Sequence, residues 1–178
     1  MKILLIGPQG SGKSTQGKLL AEYLKIPVIS TGDIFRILRE QDNEEGRRIR
    51  QILDTGQLVD DSETAGLVRE RVGEADCRNG FILDGYPRNL EQIRLFDPLF
   101  DKVIYLKLSD GEALGRLLAR GREDDTAELI KERLRIYHQQ TDPILDYYQK
   151  NGLVVEVDGS GMIDEIQEKL RKVVSGQK

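Results

Sequence analysis

Residues 7–14 read Gly7-Pro8-Gln9-Gly10-Ser11-Gly12-Lys13-Ser14 and match the pattern G-x-x-x-x-G-K-[ST] at every fixed position. The run follows Ile3–Ile6, an apolar stretch that predicts a buried strand, and leads into apolar residues at helical spacing as far as Leu24. Glycines let a backbone curl so that its N–H groups face an anion, and the next helix offers its positive N-terminus to that anion. A strand, this loop and a helix together predict a site for the phosphates of a nucleoside triphosphate.

Two side chains of the loop carry chemistry. Lys13 has the charge and reach to contact the β and γ phosphates, and Ser14 can offer its hydroxyl to Mg²⁺. The alternative is a glycine-rich turn with a solvated lysine. The predicted strand and helix on either side favour the phosphate loop.

Four more short apolar runs indicate strands further along the chain, at Pro27–Ile29, Phe81–Leu83, Val103–Leu106 and Leu153–Val157. Helical patterns lie between and after the runs, at about residues 89–96, 111–120, 126–150 and 162–174, and a further helix is expected to end at Val72. Strands that alternate with helices predict an α/β fold, with a five-stranded parallel sheet covered by helices on both faces.

Several local signals refine this prediction. Residues 31–60 are polar and interrupted by Gly46 and Gly56, which predicts a small helical excursion outside the sheet. Thr31 or Asp33 would cap its first helix, and Asp60 or Asp61 would cap the helix that runs to Val72. Pro143 should break the long helix near residues 141–142, and His138 is expected as a structural residue at a helix end.

Composition limits the function classes. The 178 residues fit one domain, 1–178, and 27 basic against 31 acidic residues give a net charge of −4 and a pI near 5.2. Such a chain has no general attraction to nucleic acid or an anionic membrane. With one cysteine, Cys77, it has neither an internal disulfide nor a four-cysteine zinc site, and Cys77 is expected to be a packing residue. Ile3–Ile6 is too short for a signal peptide or a membrane span, so we expect a cytoplasmic protein.

Three later motifs, together with the loop, resemble the adenylate kinase family of nucleoside monophosphate kinases. They are Ile29-Ser30-Thr31-Gly32-Asp33, then Gly80-Phe81-Ile82-Leu83-Asp84-Gly85-Tyr86-Pro87-Arg88, then Gly121-Arg122-Glu123-Asp124-Asp125 with Glu132-Arg133-Leu134. The resemblance covers residues 1–174. It implies a P-loop kinase fold with a monophosphate-binding insertion at 30–59 and a short lid at 120–126. It also implies a monomer that catalyses ATP + AMP ⇌ 2 ADP with Mg²⁺.

The resemblance assigns site residues to three groups. The ATP side comprises Gly10, Ser11, Gly12, Lys13, Ser14, Thr15, Arg116, Arg120 and Gly161. The AMP side comprises Thr31, Gly32, Arg36, Gln57, Leu58, Val59, Gly85, Tyr86, Pro87, Arg88, Gln92, Arg122 and Arg133. The catalytic group comprises Lys13, Asp84, Arg88, Arg120, Arg122 and Arg133. The partners it implies are the small molecules ATP, AMP and ADP.

Individual roles follow from the same resemblance. Asp84 would organise the waters around Mg²⁺, Gln92 would hydrogen-bond the adenine edge, and Gly161 would present backbone to the ATP base. Asp124 and Asp125 would orient the arginines or help the lid close. The surplus of arginine suits the task, because a planar guanidinium matches phosphate oxygens better than an ammonium does.

The chain departs from the common family pattern in its loop and lid. Gln9 stands where proline is usual and Ser14 where glycine is usual. About four residues, Gly121–Asp124, separate the two helices that the lid joins, whereas long-form members carry a lid domain that sometimes holds zinc. We therefore expect a short-form enzyme without zinc and with a small closing motion.

Three other functions remain open at this stage. A UMP/CMP kinase shares Asn89, but Thr31 and Gln92 favour AMP as the acceptor. A nucleotide sensor without turnover would be expected to have lost at least one catalytic residue, and none is missing. A nucleic-acid-binding protein that uses the same loop fits poorly with the acidic composition.

Overall fold

A computed structural model describes residues 1–54, 59–121 and 125–176. Its strands are β1 (Lys2–Ile6), β2 (Val28–Ser30), β3 (Phe81–Asp84), β4 (Lys102–Lys107) and β5 (Val154–Asp158). Its helices are α1 (Lys13–Leu24), α2 (Thr31–Glu40), α3 (Glu44–Asp54), α4 (Asp61–Val72), α5 (Leu90–Leu95), α6 (Asp110–Arg120), α7 (Ala127–Lys150) and α8 (Ile163–Ser175), with a 3₁₀ turn at Ala75–Cys77. The predicted site residues Gln57, Leu58 and Arg122, and the lid residue Asp124, lie outside the described residues.

The five strands form one parallel sheet in the order β2-β3-β1-β4-β5, which confirms the predicted fold class. The register pairs Leu5 of β1 and Ser30 of β2 with Asp84 of β3. The carboxyl ends of these three neighbouring strands therefore lie level with one another. The loops that follow them must emerge side by side at one edge of the sheet.

Alternation along β1 shows how both faces of the sheet are covered. Leu4 and Ile6 belong to one hydrophobic cluster, which α4, α5 and α7 complete. Ile3 and Leu5 belong to another, which α1 and α8 complete. Gly17 lets α1 approach the sheet closely, since a Cβ there would lie 3.0 Å from Leu5 Cδ1. The prediction of helices on both faces is confirmed.

The helical excursion differs in detail from the prediction. Gly46 lies inside α3 and does not interrupt the segment; a Cβ there would come within 2.2 Å of Gln41 O, so glycine permits a close chain contact. Thr31 is the first residue of α2 and not its cap, because Ser30 occupies the capping position. Asp60 caps α4, and its carboxylate accepts from Ser62 N at 2.8 Å.

The expected break at Pro143 is wrong, because α7 runs without interruption from Ala127 to Lys150. A proline inside a helix removes one backbone hydrogen bond. Here Thr141, Ile144 and Tyr148 are buried on both sides of it. Tertiary packing of this face keeps the chain helical through a residue that would end an isolated helix.

His138 lies in the middle of α7 and not at its end, and it joins two helices. Its Nε2 lies 2.9 Å from Asp110 Oδ1 at the start of α6, and its Nδ1 lies 3.8 Å from Asp142 Oδ1. The hydrogen bond with Asp110 and the charges of both carboxylates raise the pKa of His138 above its ordinary value of 6.5.

We predict that replacing His138 with glutamine removes part of the pH dependence of stability. A raised pKa in the folded state stabilises the fold fully below about pH 6.5, and this contribution is lost as the pH rises through the folded pKa. The wild type should lose about 0.5 kcal/mol more than His138→Gln between about pH 5.5 and pH 8.5, as expected for a partly exposed pair. Urea unfolding at several pH values measures this. Parallel curves for the two proteins would contradict the assignment.

Candidate active site

The loops after β1, β2 and β3 meet around one cavity of about 730 Å³. Ten predicted site residues line it: Lys13, Thr31, Val59, Asp84, Gly85, Tyr86, Pro87, Arg88, Gln92 and Arg133. These residues come from distant parts of the chain, and the register of the three strands brings most of them together. The cavity therefore joins the predicted phosphate loop to the predicted acceptor residues.

The phosphate loop is shaped by its glycines. Gly10 and Gly12 have φ of 84° and 88°, a region that side chains other than glycine rarely adopt. Gly7 has no room for a side chain, since a Cβ would lie 2.6 Å from Ser11 Oγ and 2.7 Å from Leu106 O. Within the described chain no side chain caps α1, and its first turn holds no acidic residue. Its N-terminal N–H groups are thus suited to an anionic ligand.

Lys13 bends back over its own loop. Its Nζ donates to Gly7 O at 2.6 Å and to Pro8 O at 2.9 Å. Burial lowers the pKa of Lys13, the charge of Asp84 partly offsets this, and the charge of Arg88 adds to the lowering. A bound phosphate would favour the charged ammonium, because an adjacent anion stabilises it.

Asp84 and Ser14 place two hard oxygen ligands beside the loop. Asp84 ends β3 with 8% of its surface exposed, and Ser14 Oγ donates to its Oδ2 at 3.2 Å. Within the described ranges, no three or more His, Cys, Asp or Glu side chains are grouped so as to hold a metal. A metal here would need ligands from a nucleotide or from water.

Gly85 organises the second half of the cavity. Its carbonyl accepts from Thr31 Oγ1 at 3.1 Å and from Arg88 Nε at 3.0 Å. Its φ is 87°, and a Cβ would lie 2.6 Å from Thr31 Oγ1, so both backbone shape and space require glycine. One carbonyl thus links the start of α2 to the arginine that follows β3.

Gln92 is held by hydrogen bonds at both ends of its amide. Oε1 accepts from the backbone N–H of Arg88 at 2.7 Å, and Nε2 donates to Asp61 Oδ1 at 2.7 Å. Asn89 Nδ2 donates to the other carboxylate oxygen of Asp61 at 3.0 Å, while Asn89 Oδ1 caps α5 by accepting from Gln92 N at 2.8 Å. Gln92 is 5% exposed and is one of the residues that line the cavity.

The predicted ATP-side arginines are held by loop carbonyls and by one buried carboxylate. Arg116 lies 3.4 Å from Gly10 O and 3.0 Å from Ser160 O, so it connects the phosphate loop with the loop that contains Gly161. Arg120 binds Asp125 through two contacts of 2.8 Å, and Arg133 Nη1 lies 3.6 Å from the same carboxylate. The side chain of Asp125 is fully buried between them.

Tyr86 lines the cavity, but the following predicted residues do not: Gly10, Ser11, Gly12, Ser14, Thr15, Gly32, Arg36, Arg116, Arg120 and Gly161. Gly32 and Arg36 lie on α2, where the guanidinium of Arg36 pairs with Asp33 at an exposed position. The aromatic ring of Tyr86 is buried in the core, with its hydroxyl 2.7 Å from both Gln92 O and Phe96 O. Tyr86 can therefore offer the cavity little beyond its backbone.

Sequence reasoning missed several residues of the lining, among them Asp61 and three residues on one face of α7. Asp61 was considered only as a helix cap, yet it contacts Gln92 and Asn89 at the cavity wall. On α7, Ile136, Tyr137 and Gln140 line the cavity with Arg133. Their spacing of three, four and seven residues from Arg133 is the signal of one helix face that could have found them.

A second cavity, of about 570 Å³, lies between α6 and α7 beside Asp110, Leu114, Leu134 and His138. Among the described residues that line it, none belongs to the loops after β1, β2 or β3. Its described lining includes the basic residues Lys131, Arg135 and His138 of α7, but it does not include the glycine-rich phosphate loop that lines the larger cavity. We therefore take the larger cavity as the site of the chemistry.

Comparisons with known proteins show which family the chain resembles over most of its length. A family model described as "Adenylate kinase" matches residues 5–153. Similar curated proteins named adenylate kinase come from Nocardia farcinica, 43% identical over 95% of this chain and 96% of the relative, and from Bifidobacterium longum, 45% identical over 93% and 95%. One from Corynebacterium urealyticum is 42% identical over 94% and 96%.

No helix of the described part of the chain has the length and apolar character to cross a membrane.

We predict that Asp125→Asn lowers the free energy of unfolding by about 1–3 kcal/mol, because two guanidinium groups lose a buried charged acceptor. The control is Glu132→Gln, which breaks an exposed pair with Arg135 and should leave the free energy of unfolding close to that of the wild type. Urea unfolding at neutral pH compares the two. Equal small losses in both variants would show that the Asp125 cluster contributes no more than a surface pair.

Proposed function

The chain belongs to the adenylate kinase family, and we propose that it transfers the terminal phosphoryl group of ATP to AMP, reversibly giving two ADP. The observation that carries this is the shared cavity. The phosphate loop with Lys13 and an acceptor half with Thr31, Arg88 and Gln92 open into the same space. A protein that only bound one triphosphate would have no use for a second set of anion and base contacts.

On the donor side, backbone N–H groups of Gly10–Thr15 and the N-terminus of α1 hold the ATP phosphates. Lys13 leaves its loop carbonyls for the β and γ phosphates. Arg116 connects this loop to the Gly161 region, which presents backbone to the ATP base. Arg120 approaches the phosphates from the end of α6.

On the acceptor side, Arg36 and Arg88 bind the AMP phosphate, and Thr31, Gly32 and Gln92 hold the nucleoside. For Arg36 this requires release from Asp33, with which it forms an ion pair in the structure. Gln57, Leu58, Val59 and the backbone of Gly85–Pro87 complete the base and ribose pocket. The cavity lining by Val59, Gly85 and Pro87 supports this assignment.

Catalysis of phosphoryl transfer depends mainly on positioning the two nucleotides and neutralising the phosphate charge, and it needs little covalent chemistry from the protein. An oxygen of the AMP phosphate attacks the γ phosphorus of ATP, the bond to the β–γ bridging oxygen breaks, and ADP leaves with that oxygen. Lys13, Arg88, Arg120, Arg122 and Arg133 neutralise the charge that spreads over the transferring group. No side chain of the protein needs to act as a nucleophile.

The donor set at the loop fits Mg²⁺. This ion binds oxygen ligands in an octahedron and is usually held by one or two carboxylates, phosphates and waters. Asp84 and Ser14 supply such oxygens beside the phosphate loop. Asp84 would hold Mg²⁺ through water and the Ser14 hydroxyl would offer a further oxygen, and the ion bound with ATP would neutralise phosphate charge.

Two segments serve as moving parts in this proposal. Residues 30–59 form the AMP-binding insertion, and α2 and α3 within it pack on each other. Residues 120–126 form a short lid. Its ends are joined by the Arg120–Asp125 pair, so closing would move both ends together and bring Arg120 toward the phosphates.

We predict that the purified chain phosphorylates AMP faster than CMP or UMP when ATP and Mg²⁺ are supplied. The reason is that Thr31 and Gln92, the two residues that favour AMP as the acceptor, line the same cavity as the phosphate loop. A coupled assay of ADP formation with each monophosphate measures the rates. A CMP rate above the AMP rate would assign the chain to the pyrimidine-specific relatives, and no turnover with any monophosphate would indicate a sensor.

We predict that Lys13→Ala and Arg88→Ala each lower kcat by about a hundredfold or more, because each removes a charge that stabilises the transferring group. Arg94→Ala is the matched control, since Arg94 lies on the exposed face of α5 and its ion pair with Glu91 is a surface contact. Circular dichroism should show all three variants folded. A near-normal kcat in Arg88→Ala would refute its role.

A further inference from the structure

We propose that Asp61 is a positioning residue that fixes the amide orientation of Gln92 and thereby makes the acceptor site select a 6-aminopurine over a 6-oxopurine. This deepens the proposed function and rests on the role given there to Gln92. Asp61 is the first residue of α4, while Gln92 belongs to α5. The two side chains meet at the wall of the acceptor half of the cavity.

The orientation of the Gln92 amide is decided by its neighbours on both sides. A carboxylate only accepts hydrogen bonds, so the group that lies 2.7 Å from Asp61 Oδ1 must be the NH₂ of Gln92. A backbone N–H only donates, so the atom 2.7 Å from Arg88 N must be Oε1. Rotating the amide by half a turn would set a donor against a donor and an acceptor against an acceptor.

Asp61 is in turn fixed by Asn89. Asn89 Oδ1 caps α5, so its NH₂ is directed at Asp61 Oδ2 at 3.0 Å. The two carboxylate oxygens thus accept one amide each. α4 already has its cap in Asp60, so the helix end does not require Asp61 for that purpose.

Each group of the Gln92 amide keeps capacity for a ligand. One N–H of Nε2 and one lone pair of Oε1 are not needed by Asp61 or Arg88. A 6-aminopurine offers an acceptor at N1 and a donor at its 6-amino group, whereas a 6-oxopurine offers a donor at N1 and an acceptor at O6. An amide locked in one orientation satisfies one pattern and opposes the other, and a site of this kind rejects the wrong analogue strongly.

The experiment measures the dissociation constants of AMP and IMP by titration calorimetry, with the rate of AMP phosphorylation and the KM for ATP in parallel. Asp61→Ala should lower the preference for AMP over IMP about tenfold, the effect of about one hydrogen bond. The KM for ATP should stay within about twofold of the wild type.

The double variant D61N/N89D exchanges the two groups and is the rescue. In this variant the carboxylate at position 89 can still cap α5. It can also accept a hydrogen bond from the amide NH₂ of the asparagine at position 61. Because the new asparagine at position 61 donates its NH₂ to position 89, its amide oxygen is directed at Gln92. That oxygen can then accept from the NH₂ of Gln92, as the Asp61 carboxylate does in the wild type. The preference for AMP should return to within about twofold of the wild type.

Asp60→Ala is the matched control, because it truncates the neighbouring acidic residue and the α4 cap, whose hydrogen bonds go to Ser62 and Glu63 and not to Gln92. It should lower the unfolding temperature and leave the AMP preference unchanged.

The outcomes separate this inference from the proposed function. If the wild type does not phosphorylate AMP, the proposed function fails. If it does, yet Asp61→Ala keeps the wild-type preference, or the exchange fails to restore it, Asp61 does not orient Gln92. A Gln92→Ala variant with an unchanged preference would remove the basis of the inference, and so would a wild type that binds AMP and IMP equally.

Discussion

The parallel register of β1, β2 and β3 is the constraint on which the site depends. Asp84 pairs with Leu5 on one side and with Ser30 on the other, so three strands end at the same level. Everything that follows those strands is then confined to one edge of the sheet: the phosphate loop, the start of α2 and the segment from Gly85 to Arg88. A shift of one residue in any of these strands would exchange the residues that face the two helical layers and would separate the groups that now line one cavity.

Two glycines at the ends of β1 and β3 allow the close contacts that this register requires. Gly7 leaves space for Ser11 and Leu106 where β1 enters the loop, and Gly85 does the same for Thr31 where β3 ends. The carbonyl of Gly85 is also the shared acceptor for Thr31 and Arg88. The polar and cationic groups of the acceptor half are therefore aimed by backbone whose shape only glycine adopts readily. In an acidic protein such local aiming is what makes a site for polyanions possible.

Sequence reasoning succeeded where structure is local. The five strands, the loop and the start of α1 at Lys13 were predictable, because apolar runs and glycine spacing act over a few residues. It failed where tertiary contacts override local preference. Burial of Ile144 and Tyr148 keeps α7 helical across Pro143, and the contact with Asp110 gives His138 a partner 28 residues away. Asp61 shows a third limit of sequence reasoning. Asp60 and Asp61 could each be interpreted as the cap of α4, and no local pattern indicated that Asp61 contacts Gln92 instead.

If Gln92 binds the base as proposed, recognition depends on the Asp61 network, whose groups take no part in the chemistry. A glutamine amide presents nearly the same shape in either orientation, so shape alone cannot make it discriminate between bases with opposite hydrogen-bond patterns. Discrimination needs neighbours that only donate or only accept, and here a backbone N–H after β3 and a carboxylate on α4 fill those roles. Because these neighbours belong to separate elements, the proposed selectivity would depend on how α4 and α5 pack together. A substitution that shifts α4 against α5 would therefore alter base selection without touching the nucleotide.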